Sequence, residues 1–167
     1  MREVATVRRV RVLMVTPRFG AANLGGAENL IRELALHAPA GWDVEVATTC
    51  AVDHYRWLNV LPPGSGTEDG LPVHRFPVSE RDAWQHERLV NHLQVTGELD
   101  PASELYLLGS SVWSEGLQRF IEDEGSRFDA LVFCPYLFGT TFWGSQVWPH
   151  KSVLVPCLHD EPYAHMD

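Results

Sequence analysis

The stretch VRVLMVT over residues 10–16 is almost continuously apolar and rich in β-branched side chains, and Pro17 stops it. A run that short and unbroken predicts a strand buried on both faces, as in a parallel sheet. The period then changes. Ala27, Leu30, Ile31, Leu34, Ala35 and Ala38 recur at helical spacing, which predicts a helix with a one-sided apolar stripe, ended by Pro39 and Gly41. DVEVATTC over 43–50 predicts a second strand, and the three segments together form a βαβ unit.

Residues 53–70 keep neither period and contain PPGSG at 62–66, so they are expected to be an irregular loop of the length that accompanies function or mobility. LPVHRFPV over 71–78 predicts a third strand, close to a sheet edge because prolines interrupt it. Residues 84–95 and 112–124 predict helices, the second turning Leu117, Phe120 and Ile121 inward and closed by Gly125. Residues 105–108 are apolar but fit neither template. FDALVFCP over 128–135 predicts a fourth strand, 136–148 a short aromatic helix, and SVLVPCLH over 152–159 a fifth strand. There is no internal repeat. Strands alternating with helices predict an α/β fold, Rossmann-like and doubly wound, with a mainly parallel sheet covered by helices on both faces. Residues 1–167 read as a single domain. The sequence runs eight residues beyond His159, and it reads as the N-terminal domain of a longer protein.

Charge narrows the partners. Thirteen Lys and Arg against 22 Asp and Glu give a net charge of −9 and a pI near 5.3. That balance counts against non-specific binding to nucleic acid or to anionic membranes. It leaves room for an anionic small molecule, which responds to a local field. Cys50, Cys134 and Cys157 are odd in number and widely spaced, so they are expected to be buried thiols rather than a disulfide framework. The apolar run of the opening MREVATVRRVRVLMV is too short for a signal peptide, and nothing approaches the ~20 apolar residues of a membrane span. The expected location is cytoplasmic.

Candidate chemistry gathers at strand ends. Ligands of doubly wound sheets bind beyond the carboxyl ends of the strands, where the strand order reverses. With an order of 3-2-1-4-5 that point lies between the first and fourth strands, and the loops 18–28, 135–141 and 159–162 converge on it. Gly25 and Gly26 stand at the amino end of the first helix, where unpaired N–H groups and the helix dipole favour anions and bare backbone lets a phosphate approach. A tight turn without any ligand explains the pair equally well. Glu28 suits the dipole but would repel a diphosphate, so it is expected to point sideways; a plain helix-start acid is the alternative. Asp53, after the second strand, has the place of a ribose-binding acid or of a solvated loop residue. Neither G-x-G-x-x-G nor the Walker pattern occurs, which disfavours a dinucleotide-dependent oxidoreductase. HDEPYAHMD gathers His159, Asp160, Glu161, His165 and Asp167, but the spacing matches no standard zinc pattern, and no metal is expected. Trp84, Trp113, Trp143 and Trp148 read as core or domain-contact anchors, with Trp143 and Trp148 placed beside the crevice.

RVLMVTPRFG as a strand, GGAE opening the helix and GWDVEVATT as the next strand are together similar to the N-terminal half of family 4 glycosyltransferases. The similarity continues through GLPVHRFPV, FDALVFCPYLFGTT and SVLVPCLHDEP, in order, over nearly the whole chain. GGAE alone is a weak motif; combined with HDEP it is fairly specific. The resemblance implies a GT-B architecture of two Rossmann-like domains facing a cleft. This chain is then the acceptor-side half, and an absent C-terminal domain grips the nucleotide-sugar. It implies retaining transfer of a sugar to a small molecule, glycan or lipid, by front-face attack assisted by the leaving phosphate. No metal or separate cofactor is implied, and the half is expected to be inactive alone. By the same resemblance Gly25 and Gly26 face the donor diphosphate, with Glu28, Asp160 and Glu161 in the donor region. His159 is the catalytic candidate beside the transferred sugar. Arg18, Tyr136 and Asp53 are acceptor-side candidates. A dinucleotide-binding oxidoreductase domain and a non-catalytic module that docks a separate catalytic subunit stand as alternatives.

Overall fold

The continuous apolar runs become strands with a helix over each face. The computed structural model describes residues 8–20 and 25–166. Along the chain lie β1 (Val10–Val15), α1 (Gly26–Leu36), β2 (Trp42–Thr49), β3 (Gly64–Glu68), β4 (Leu71–Phe76), α2 (Ala83–Thr96), α3 (Pro101–Ser110), α4 (Glu115–Glu124), β5 (Ala130–Phe133), α5 (Gly139–Gly144) and β6 (Ser152–Leu154). The six strands form one sheet in the order β3-β4-β2-β1-β5-β6. Every pairing is parallel except β3 with β4. The five expected strands keep the expected order, and β3 is added at the edge.

Strand alternation divides the core into two layers. Val12, Met14, Val44 and Val46 face Ile31 and Ala35 of α1. Leu13, Val15, Ala47, Leu131 and Phe133 face Leu117 and Ile121 of α4. The apolar stripe of α1 is narrower than its spacing predicts: Ile31 and Ala35 are buried, while Leu30 and Leu34 stay about two-fifths exposed, at 41% and 42%.

The helices expected over 112–124 and 136–148 are shorter, at Glu115–Glu124 and Gly139–Gly144, and two strand boundaries differ, each for a physical reason. Residues 64–68 are a strand rather than irregular loop. GSGTE has no apolar period because nearly all of it is exposed at an edge. Backbone pairing holds it to β4, through a two-residue turn in which Asp69 and Gly70 both have positive φ, 52° and 82°. Asp-Gly is the sequence signature of such a hairpin. The fifth expected strand is shorter. β6 ends at Leu154, because Pro156 has no N–H to continue the ladder and Cys157, at φ 54°, takes the chain out of line. The ambiguous residues 105–108 belong to α3, capped by Asp100 with Pro101 behind it. No helix among the described residues is long and apolar enough to cross a membrane.

Candidate functional site

β1 has β2 and β4 on one side and β5 and β6 on the other, so chain order reverses beside it. At the carboxyl ends there, a crevice of about 580 Å³ opens. Its walls are Arg18 with residues 25–28, His54, residues 135–138, and Cys157, His159 and Glu161. The three loops that the sequence places at the switch point do meet, although 21–24 of the first lie outside the described residues.

The amino end of α1 forms one wall. Asp82, Asp100 and Ser114 cap α2, α3 and α4 with side-chain oxygens. The N-cap of α1 is Gly25, which has no side chain to offer. The first helical bond runs from the Asn29 N–H to the Gly25 carbonyl at 3.0 Å, so the N–H groups of Gly26, Ala27 and Glu28 precede any intrahelical acceptor. Neither glycine has positive φ; Gly25 is extended at φ −72°, ψ 150°. Space distinguishes them. A Cβ on Gly25 would overlap the Glu28 carboxylate and come within 3.3 Å of Arg18 Nη2, whereas one on Gly26 would meet nothing within 4 Å among the described residues. What approaches Gly25 is therefore the protein's own acid, and Gly26 leaves the open backbone.

Glu28 turns back over Gly25 into a buried ion pair with Arg18 Nη2. Arg18 also donates from Nη1 to the Val52 carbonyl at 3.1 Å and stacks 5.6 Å from the Trp57 ring. The pair cancels its own charge inside the wall, so Glu28 no longer repels an anion and Arg18 no longer attracts one. Arg18 is brought to the crevice, but both of its terminal nitrogens are engaged, and Nε is buried without an acceptor.

Opposite, the Tyr136 hydroxyl donates to Glu161 at 2.9 Å. Burial pushes the phenol pKa well up, and the Glu161 carboxylate that accepts its proton adds to the shift. His159 lines the crevice and is exposed. Its carbonyl accepts from the Glu161 N–H at 3.0 Å, and its ring meets no hydrogen-bond partner among the described residues. It arrives by the loop after Pro156, five residues past β6, and not at the strand end that the sequence suggested.

Two candidates fall outside the lining. The side chain of Asp160 is fully exposed and accepts from His165 at 3.2 Å. Asp53 Oδ1 accepts the N–H groups of Tyr55 at 2.9 Å and Arg56 at 2.6 Å. These bonds, Arg56 first, hold its carboxyl below the ordinary value. Asp53 secures the turn from which His54 reaches the crevice. His54 and Cys157 are lining residues that sequence reasoning missed, His54 being signalled only by its position after the second strand, while Phe138 belongs to the 135–141 loop already placed there. Cys157 Sγ lies 3.6 Å from Cys134 Sγ, and burial, with Cys157 beside it, pushes the Cys134 thiol to about 12. All three cysteines are free.

The tryptophans do not form a sugar platform in the crevice. Trp148 packs on the α4 layer and donates from Nε1 to the Ile121 carbonyl at 2.9 Å. Trp143 faces a separate cavity, and Trp84, 66% exposed, lies under Arg88 instead of in the core. No metal-holding group of three or more His, Cys, Asp or Glu occurs among the described residues; Asp167 lies outside them. Comparisons of the chain with protein-family models, with curated proteins and with solved structures give no match.

Proposed function

We propose that the chain is the acceptor-side half of a retaining glycosyltransferase, and that its crevice receives the diphosphate and sugar of a nucleotide-sugar donor. The observation that carries this reading is the end of α1. Its leading N–H groups, uncovered at Gly26 and free of a side-chain cap, open into a crevice of about 580 Å³ that His159 also lines. A helix N-terminus with open backbone favours phosphate oxygens. The polar groups around it, Tyr136 with Glu161, His54 and His159, suit hydroxyls. The absence of G-x-G-x-x-G favours a sugar nucleotide over a dinucleotide cofactor.

The chemistry asked of these residues is modest. In front-face transfer the acceptor hydroxyl attacks the anomeric carbon on the side that the diphosphate leaves. Its proton passes to a departing phosphate oxygen, so configuration is kept without a protein nucleophile. The α1 N–H groups would take up charge on the leaving group. The His159 ring would hydrogen-bond a sugar hydroxyl or screen positive charge at the anomeric carbon. A second domain across the cleft would hold the nucleotide.

Because Arg18 is neutralised by Glu28, no free guanidinium or ammonium lines the crevice among the described residues. Binding of UDP or GDP to this half should therefore be no tighter than about millimolar, since few contacts offset the cost of association. Calorimetry with UDP, GDP and NAD tests this. Weak binding of a nucleoside diphosphate, with none of NAD, is the expected result. Micromolar UDP or GDP binding would overturn the division of labour between two domains, and a preference for NAD would favour an oxidoreductase.

A further inference from the structure

A second cavity, of about 560 Å³, adjoins the crevice without sharing a lining residue with it. Ser111, in its wall, accepts the N–H of Gly139, the residue next to crevice-lining Phe138. Leu105 and Tyr106 of α3 and Trp143 of α5 converge on this space and stay exposed at 52%, 42% and 37%. Trp113 completes an apolar wall. The volume lies in the range of small-molecule sites, which pair such walls with a few placed polar groups.

The polar side chains here without a hydrogen-bond partner among the described residues include the Arg81 guanidinium, the Tyr106 hydroxyl and the exposed Glu80 carboxylate. Arg81, partly buried at the rim, makes no hydrogen bond or ion pair through its guanidinium among the described residues; its charged neighbours are Glu87 and, on the rim, the exposed Glu80. Trp113 Nε1 is buried without an acceptor. The serine hydroxyls are already engaged: Ser79 accepts from the Glu115 N–H at 2.9 Å, Ser111 donates to the Leu108 carbonyl at 2.8 Å, and Ser110 bonds His86 Nδ1 at 3.1 Å. An apolar chamber with an unpaired guanidinium at its rim is complementary to an apolar body bearing an acidic group.

We propose that the cavity between α3 and α5 binds a small amphipathic anion, an apolar molecule carrying one carboxylate or comparable acidic group, with Arg81 as its charge partner and Leu105, Tyr106, Trp113 and Trp143 around its body. The site is separate from the crevice and does not depend on the transferase reading.

The test is calorimetry near neutral pH with two matched pairs, octanoate against 1-octanol and 2-naphthoate against 2-naphthol, which separate an alkyl from an aromatic body. At least one acid should bind about tenfold or more tightly than its alcohol, as a charge-assisted hydrogen bond supplies. Arg81→Gln should remove that preference while the alcohol still binds, Trp143→Ala should weaken acid and alcohol together, and UDP should not compete. Should Trp143→Ala fail to fold, Leu105→Ser at an exposed wall position replaces it. Equal binding of acid and alcohol, a preference that survives Arg81→Gln, or no binding by either pair would overturn the proposal. The last result would mean that the apolar wall is covered by protein.

Discussion

Gly25 and Gly26 are adjacent and identical in composition, yet they answer to different constraints. Gly25 is required by Glu28. The acid stands at the third helical position, from which a carboxylate reaches back over the N-cap residue, and burial with Arg18 fixes it there. Gly25→Ala must displace that pair and should destabilise the fold by about 2 kcal/mol, within the range for disturbing a buried pair. Gly26→Ala adds a better helix former in open space and should be neutral or stabilising by up to about 1 kcal/mol. Urea unfolding of the two variants checks the contrast, and equal midpoints would contradict it. The sequence made the pair conspicuous but could not say which glycine served the fold, because that depends on where one carboxylate turns. At His159 the prediction is catalytic. When the chain is joined to the proposed donor-binding domain, His159→Ala should lower turnover about 10²-fold or more, the scale of losing one transition-state contact, with the melting temperature nearly unchanged. Turnover within about threefold of the parent would remove His159 from the mechanism.

Elements are tied together by a polar cluster that periodicity does not reveal. Glu45 of β2 accepts from His74 of β4 at 2.9 Å and from Arg127 at 3.2 and 2.7 Å, with Arg11 of β1 at 3.5 Å. Burial alone would raise the Glu45 pKa, but the His74 hydrogen bond and the Arg127 charge outweigh it and hold the carboxyl below its ordinary 4.5. A depressed folded-state value means stability that is present above about 4.5 and is lost as pH falls through the folded value. Glu45→Gln should cost about 2 kcal/mol at neutral pH, less than a fully buried pair because Arg127 keeps partial contact with water. The gap to the parent should narrow below about pH 4.5. A difference that stays constant down to pH 3 would contradict the ion-pair account. The same limit governed what could be read of the strands. Apolar runs located β1, β2 and β5, which sit inside the sheet, and β4, of which Val73 is buried. They missed β3, which is held by backbone bonds and an Asp69–Gly70 turn. They overextended β6, where Pro156 ends the ladder although the apolar pattern continues.

For the whole molecule, strand order and the meeting of three loops at one crevice were legible, because chain connectivity and the switch-point rule determine them together. The interior of the crevice was only partly legible. Gly25, Gly26, Glu28, Arg18, Tyr136, His159 and Glu161 line it, while Asp53 and Asp160 do not. Asp53 is engaged by its own turn and Asp160 by solvent and His165. The aromatic cavity beside it was not legible at all, since α3 and α5 are far apart in sequence and neither announces the other. On the proposed function, the crevice at the end of α1, and not the neighbouring cavity, receives the diphosphate and sugar of a nucleotide-sugar. The most direct test of that function is an amide-resolved NMR titration of the ¹⁵N-labelled protein with UDP- and GDP-linked sugars up to about 10 mM, a range that reports millimolar affinity. Concerted, saturable shifts are expected at the amides of Gly26, Ala27, Glu28, Tyr136 and His159, with those of Leu105, Tyr106 and Trp143 unmoved. Unchanged amides around α1, or shifts confined to the α3–α5 cavity, would contradict the proposed function.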